Sequence, residues 1–296
     1  MVRKRMLSNV QFAWLLVLPA LLILVVIVFY PLVRTVLTSF QKYDLTSPSD
    51  ILKFVGLKNY TSILISGEFV GRLAITLKYS AGAVAGQFAL GMIFALLLNQ
   101  KIRGRPFFRA IFLMPWVIPT VVCALLWTWV LNVQYGVFNF ILRKIGFIDQ
   151  FRAWLGDPAL ALYTVVGVTI WKWFPFDFVM LLAGLQTVPP DLLDAAAVDG
   201  AGSLGKFFHV TLPSIRNIIA VVLMLTLIWS FQEFTMIWGT TKGGPMNVTS
   251  TLTIHIYRTS FEYFRMGQAS ALGVLWMLFL LFFSIISVRI GFRELS

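Results

Sequence analysis

The sequence predicts an all-α, polytopic membrane protein with six transmembrane helices. Three observations predict it: 59% of the 296 residues are apolar and only 12% charged, the mean hydropathy is +0.85, and six apolar runs are each long enough to cross a bilayer. Soluble domains run nearer to about 45–50% apolar and about 25% charged. A bilayer core of about 30 Å takes roughly 20 helical residues. The runs are 12–30, 76–98, 110–131, 160–186, 217–238 and 267–288. The chain 1–296 reads as a single transmembrane domain, because no polar stretch is long enough to form a water-soluble catalytic one.

The first run follows Arg3, Lys4 and Arg5, as a signal peptide would. It is long for a signal-peptide core, and Tyr30-Pro31 rather than a small-residue cleavage site follows it, so it reads as an uncleaved signal anchor, bent at Pro19. In the second run Gly82 and Gly86 form a GxxxG pair, which suits close helix packing within the chain or to a partner. Pro115, Pro119 and Pro175 lie inside runs three and four, where each removes a backbone donor and frees a carbonyl.

An even number of spans puts both termini on one side. With that side cytoplasmic, the inward segments carry 11 Lys and Arg in 60 residues and the outward segments 11 in 101. Arg3, Lys4, Arg5 and then Lys101, Arg103, Arg105 and Arg109 flank span ends directly, as the positive-inside rule requires. The net charge of +12 therefore serves orientation and anionic lipid headgroups, not nucleic acid. The one cysteine, Cys123, allows no intramolecular disulfide, and His209 and His255 lie too far apart to suggest a zinc site.

Residues 187–216, between spans four and five, are unusual. Thr187-Val188-Pro189-Pro190 stops span four, and Asp191 to Val198 reads as a short helix with Asp191 and Asp194 near its positive end. Asp199-Gly200 stops that helix. Ser203 can cap a second one running through His209, at a sharp angle to the first. Leu192, Leu193, Val198, Leu204, Phe207 and Phe208 make the loop too apolar to be free. It suits either an interfacial hairpin on lipid or a knob seated in a cytoplasmic partner. Gly200 to Gly205 matches G-x-G-x-x-G, and Gly200 to Lys206 matches G-x-x-x-x-G-K. Both nucleotide motifs need a preceding strand, and Phe207 stands where a P-loop needs Ser or Thr, so the chain is not expected to bind ATP itself.

Asp194-Ala195-Ala196-x-x-Asp199-Gly200-Ala201, Phe207 and Val210-Thr211-Leu212-Pro213 together resemble the "EAA" loop of ABC importer permeases, and those of the maltose-type carbohydrate permeases in particular. Asp194 stands where that family usually has Glu, which keeps the charge on a shorter arm. The resemblance extends along most of the chain. Phe54-Val55-Gly56-Leu57-x-Asn59-Tyr60, Pro115-x-x-x-Pro119, Trp173-x-Pro175-Phe176, Leu182-Ala183-Gly184-Leu185-Gln186 and Gly243-Gly244-Pro245 are all similar to that subgroup. It implies a bacterial inner-membrane subunit that pairs with a second permease or a copy of itself. Two cytoplasmic ATPases, which bind the ATP, each receive one such loop. An external solute-binding protein delivers a sugar or sugar-like solute. In this picture 191–207 transmits force and does no chemistry. Segments 31–75 and 239–266 become docking surfaces, with Lys242-Gly243-Gly244-Pro245 as a tight exposed turn. Asn59-Tyr60-Thr61 and Asn247-Val248-Thr249 match the glycosylation pattern by chance.

Charges at membrane depth cost roughly 2.5–3.5 kcal/mol on insertion scales, so Lys172, Asp177 and Glu233 are expected to face a cavity or partner, to pair with one another or to snorkel outward. Helical spacing puts Trp116 and Thr120 on one face of span three. It puts Thr169, Trp173 and Phe176 on one face of span four with Lys172 beside them, and Trp229 and Glu233 on one face of span five with Gln232 adjacent. Rings beside hydrogen-bonding groups suit a sugar, although 45 of the 296 residues are aromatic and most must serve packing. The resemblance implies a sugar site at corresponding positions on these three helices. Lys172 suggests an acidic solute. Two other classes remain in play. An ion-coupled carrier would use Lys172, Asp177 and Glu233 as coupling groups but leaves the 187–216 loop unexplained. A membrane-embedded enzyme would need a catalytic cluster within the spans, which the sequence lacks.

Overall fold

A computed structural model describes residues 9–47, 52–100 and 102–293. It comprises two compact units: the described part of Met1–Glu68 with Ile256–Leu280, and Phe69–His255 with the described part of Leu281–Ser296.

The first unit opens on α1 (Asn9–Leu24), a π-helical turn Val25–Phe29 and α2 (Tyr30–Ser39), which join as one apolar helix, Phe12–Ser39. The helix does not end with the apolar run at Tyr30 but continues to Ser39. Proline removes a helix hydrogen bond and crowds the carbonyl four residues back, and the wider π turn just before Pro31 makes room for it. The chain then forms a short antiparallel ribbon, β1 (Gln41–Lys42) against β2 (Lys53–Phe54), with Gln41 opposite Phe54. Next comes α3 (Lys58–Ile65). Asn59 at its start ties the ribbon down. Its amide donates to the carbonyls of Ser39 at 2.8 Å and Gln41 at 2.9 Å, while the Tyr60 hydroxyl meets the Ser39 hydroxyl at 2.6 Å. Gly267 packs so closely on the Gln41 carbonyl that no Cβ would fit. The Phe54–Tyr60 motif is thus a clasp, and the Asn59 side chain is spent inside it.

The second unit holds α4 (Glu68–Asn99), α5 (Arg105–Val117), α6 (Thr120–Val130), α7 (Val137–Lys144), α8 (Ala161–Leu185), α9 (Pro190–Val198), α10 (Ser203–Lys206), a π turn Phe207–Thr211, α11 (Leu212–Ser214), α12 (Arg216–Phe231) and α13 (Thr235–Thr240). Two further helices, α14 (Leu252–Phe261) and α15 (Met266–Arg293), complete the chain. Four helices among the described residues are long and apolar enough to cross a membrane, and two bent pairs raise the number to six.

Helices α4 and α8 lie close because glycines face the contact. Gly82 sits against Val166 and Gly86 against Ile170. A Cβ on Gly91 would lie 2.7 Å from the Cβ of Asp177 and 2.9 Å from the Phe178 nitrogen. The GxxxG pair therefore serves packing within the chain. Two apolar clusters flank this seam. One surrounds Tyr79, Val165 and Ile237, and the other surrounds Phe178, Leu181 and Ile215. Most remaining apolar side chains point outward, as a lipid solvent allows.

Two expected spans are not continuous. The third breaks at Ile118-Pro119, where α5 and α6 meet at 96°. The residue before a proline is driven out of the helical region, and Ile118 is extended at φ −66°, ψ 128°. The fifth ends at Phe231 and resumes only at Thr235. The loop 187–216 forms two short helical pieces as expected, but the second runs through to Ser214 before a 71° bend into α12. Gly202, not Ser203, occupies its N-cap position, and no side chain caps it. Gly200 closes α9 in the left-handed region at φ +81°. The Ala201 amide reaches the Ala196 carbonyl at 2.9 Å and the Gly200 amide reaches the Ala197 carbonyl at 3.1 Å, the paired bonds of a Schellman stop. Gly200 to Lys206 is therefore a helix-to-helix turn rather than the strand–loop–helix of a nucleotide site. The 242–245 turn is less exposed than expected, since Gly243 is buried against Ile254 and Ser250.

Candidate binding cavity

The breaks in spans three and five meet at a cavity of about 410 Å³ in the second unit. Trp116, at the end of α5, and Thr120, at the start of α6, line it together with Trp173 of α8. Trp229, Gln232 and Glu233 line it from the end of α12. All six were expected at a shared site. The reason differs for Trp116 and Thr120: the 96° bend, not helical i, i+4 spacing, brings them to one space. Trp116 and Trp229 are 43% and 47% exposed, so their rings stand open to it. Phe176 lies behind as a wall, its ring 6.3 Å from Trp116 and 4.7 Å from Trp229.

A second space of about 30 Å³, room for one water, adjoins it through Trp173, Trp229 and Glu233. Thr169 belongs here, paired with the Tyr79 hydroxyl at 2.9 Å, together with Gln87, Thr226 and Ser230. Helical spacing missed Phe234 and Thr235 in the larger cavity because it assumed an unbroken helix through 238. Gln87, Thr226 and Ser230, polar residues inside apolar runs, are the sequence signal for this smaller space.

The three charges at membrane depth do not pair up as one cluster. Lys172, 2% exposed, lies outside the lining of both spaces. Its ammonium donates to the carbonyls of Pro115 at 3.0 Å, Trp116 at 3.0 Å and Ile118 at 2.6 Å. These are the acceptors that the Pro119 break leaves without helix donors, so Lys172 seals the end of α5. It thus stands at the break rather than among the residues that line the cavity. Asp177, fully buried, accepts from the Thr226 hydroxyl at 2.9 Å and binds α8 to α12. Glu233 accepts from the Met236 amide at 2.9 Å, so it caps α13 while also lining the cavity.

Residues of the 187–216 loop lie elsewhere in this unit. Asp194, Ala195 and Ala196 sit on α9, Asp199, Gly200 and Ala201 form its stop, and Phe207 opens the π turn. Val198, Leu204 and Phe208 are 88%, 75% and 56% exposed, so an apolar surface stands uncovered there.

Residues 87–294 match the family described as "Binding-protein-dependent transport system inner membrane component". The chain is 34% identical over 284 residues to the trehalose/maltose transport system permease protein MalF of Thermococcus litoralis, covering 95% of this chain and 94% of that one. Among solved structures, it superposes on a bacterial ABC transporter involved in the import of the acidic polysaccharide alginate. The TM-score is 0.83 at 23% identity, over 95% of both chains. The bacterial alginate transporter in complex with its alginate pentasaccharide-bound periplasmic protein gives 0.79 at 24% identity, over 97% of this chain and 99% of that one. At these identities the two structures establish the fold.

Proposed function

Because the chain belongs to the binding-protein-dependent transport system inner membrane component family, we propose that it forms the translocation pathway for a sugar or sugar-like solute in an ATP-driven importer. The observation that carries this reading is the cavity where two membrane helices break, walled by Trp116, Trp173 and Trp229 and rimmed by Thr120, Gln232 and Glu233. Indole faces pack on the apolar C–H faces of a sugar ring, while the rim groups bond its hydroxyls. Backbone breaks at membrane depth are tolerated where they line a cavity, and both breaks here do.

The chain works beside a second permease, similar or identical. Two cytoplasmic ATPases bind the ATP; this chain binds none. Each ATPase receives one 191–207 loop through its exposed apolar side chains, and closure of the ATPase pair moves α9 and with it the spans. A periplasmic solute-binding protein supplies the sugar, with 31–75 and 239–266 as its docking surfaces. Both termini face the cytoplasm, the side favoured by Arg103, Arg105 and Arg109 at a span end.

Reconstitution of the whole importer in vesicles tests this. Sugar uptake should require ATP and the binding protein, and removal of 191–207 should abolish uptake without preventing membrane insertion. Uptake driven by a proton or sodium gradient without ATP would establish an ion-coupled carrier instead.

A further inference from the structure

Of the three charges at membrane depth, only Glu233 lines the cavity. We propose that this cavity selects its solute by charge, admitting neutral and amino-bearing saccharides and rejecting those with a carboxylate, sulfonate or phosphate. The inference rests on the cavity being the solute path.

Lys172 cannot greet an anion. An ammonium has three donors, and all three are spent on the carbonyls of Pro115, Trp116 and Ile118. The Trp173 ring covers it, 5.1 Å from the nitrogen. Turning it toward a solute would strand three acceptors at membrane depth. Glu233 is the opposite case. It is the one ionisable side chain among the described cavity-lining residues, and it is partly exposed. A carboxylate has about four acceptor positions, and the Met236 amide occupies one of them, which leaves room for a donor from the solute. The Trp116 and Trp229 faces add to the same sign, since indole π faces attract cations. A pocket walled by low-dielectric rings focuses such a field. Carriage of an acidic polysaccharide by the alginate importer shows that this fold does not itself exclude anions, so the lining must set the sign.

Cysteine probes read that sign directly. Cys123, the chain's one cysteine and fully buried, is replaced by Ala, and Thr120→Cys and Gln232→Cys are placed separately in the complete importer in nanodiscs. Each thiol is reacted with a trimethylammonium and a sulfonate methanethiosulfonate, and with the neutral methyl reagent as control. The cationic-to-anionic rate ratio should exceed that of a free thiol in solution by at least about tenfold at both positions. Glu233→Gln should return it close to the solution value. A ratio at or below the solution value, with the methyl reagent reacting freely, overturns the charge selection and leaves the cavity standing. Failure of even the methyl reagent at both positions overturns the cavity reading and this inference with it.

Discussion

The ammonium nitrogen of Lys172 lies 2.6 Å from the carbonyl oxygen of Ile118. Ile118 precedes the proline at which the third span turns through 96°, so a cation on α8 holds the corner of another helix pair.

Replacing Lys172 with Met should therefore cost stability first. A buried acceptor left without a donor costs about 1–3 kcal/mol, and three are exposed at once here, so a loss of about 3–5 kcal/mol is expected. Thermal unfolding in nanodiscs, followed by tryptophan fluorescence, should show a clearly lowered midpoint. An unchanged midpoint together with selective loss of acidic-solute transport would return Lys172 to the solute path.

The α4–α8 seam predicts a graded series. Gly91→Ala places a Cβ against the backbone nitrogen of Phe178 at 2.9 Å, which cannot yield, and should destabilise by about 1–3 kcal/mol. Gly82→Ala meets only the Val166 side chain at 3.2 Å and should cost less. Comparing folded yield and melting of the two variants checks the order; equal losses would refute it.

Gly200→Val forces a β-branched residue into the left-handed region at φ +81°, a conformation costing about 1–2 kcal/mol for L-residues. Nothing crowds the position, so the effect is confined to the α9 stop. Membrane insertion should be normal while ATP hydrolysis continues without uptake, and Gly200→Asn, which tolerates this region, should keep much of the coupling. Parallel ATPase and uptake assays in vesicles decide it.

Asn139, on α7, is fully buried. Its amide donates to the carbonyls of Asn132 at 3.4 Å and Arg152 at 3.0 Å, and its oxygen accepts from the Arg152 amide at 3.1 Å and the Trp154 indole at 2.8 Å. Asn139→Ala should loosen the whole 132–154 segment, costing about 2–3 kcal/mol. Limited proteolysis should then cut there well before the spans, whereas an unaltered digestion pattern would show the Asn139 bonds to be dispensable.

The positions of the spans were legible because burial in lipid demands long apolar runs, and that demand is written in composition. The stop at Gly200 was legible for local reasons of backbone sterics, and the start of α9 to within one residue, at Asp191 rather than Pro190. So were the glycines at 82 and 86, although the sequence could not say whether their partner was α8 or another chain. Pro119 marked a weak point in the third span, but neither the 96° turn there nor the break at 232–234 was legible, since hydropathy averages over a window and is blind to a short extended stretch. The surroundings of Lys172 were illegible for a related reason. A cation inside an apolar run advertises an anionic ligand, and nothing in the pattern reveals carbonyl partners more than fifty positions away. Phe234 and Thr235 joined the cavity only once the fifth helix was seen to stop.

The seal on the α5 corner also has a timetable. Lys172 is synthesised 54 residues after Ile118, which at about 5–20 residues per second is a delay of roughly 3–10 s. Throughout that interval the third crossing has left the ribosome with its corner carbonyls unmet, and water or the insertion machinery must satisfy them. The nascent chain thus cannot complete its crossings one at a time: the third becomes fit for lipid only when the fourth arrives beside it.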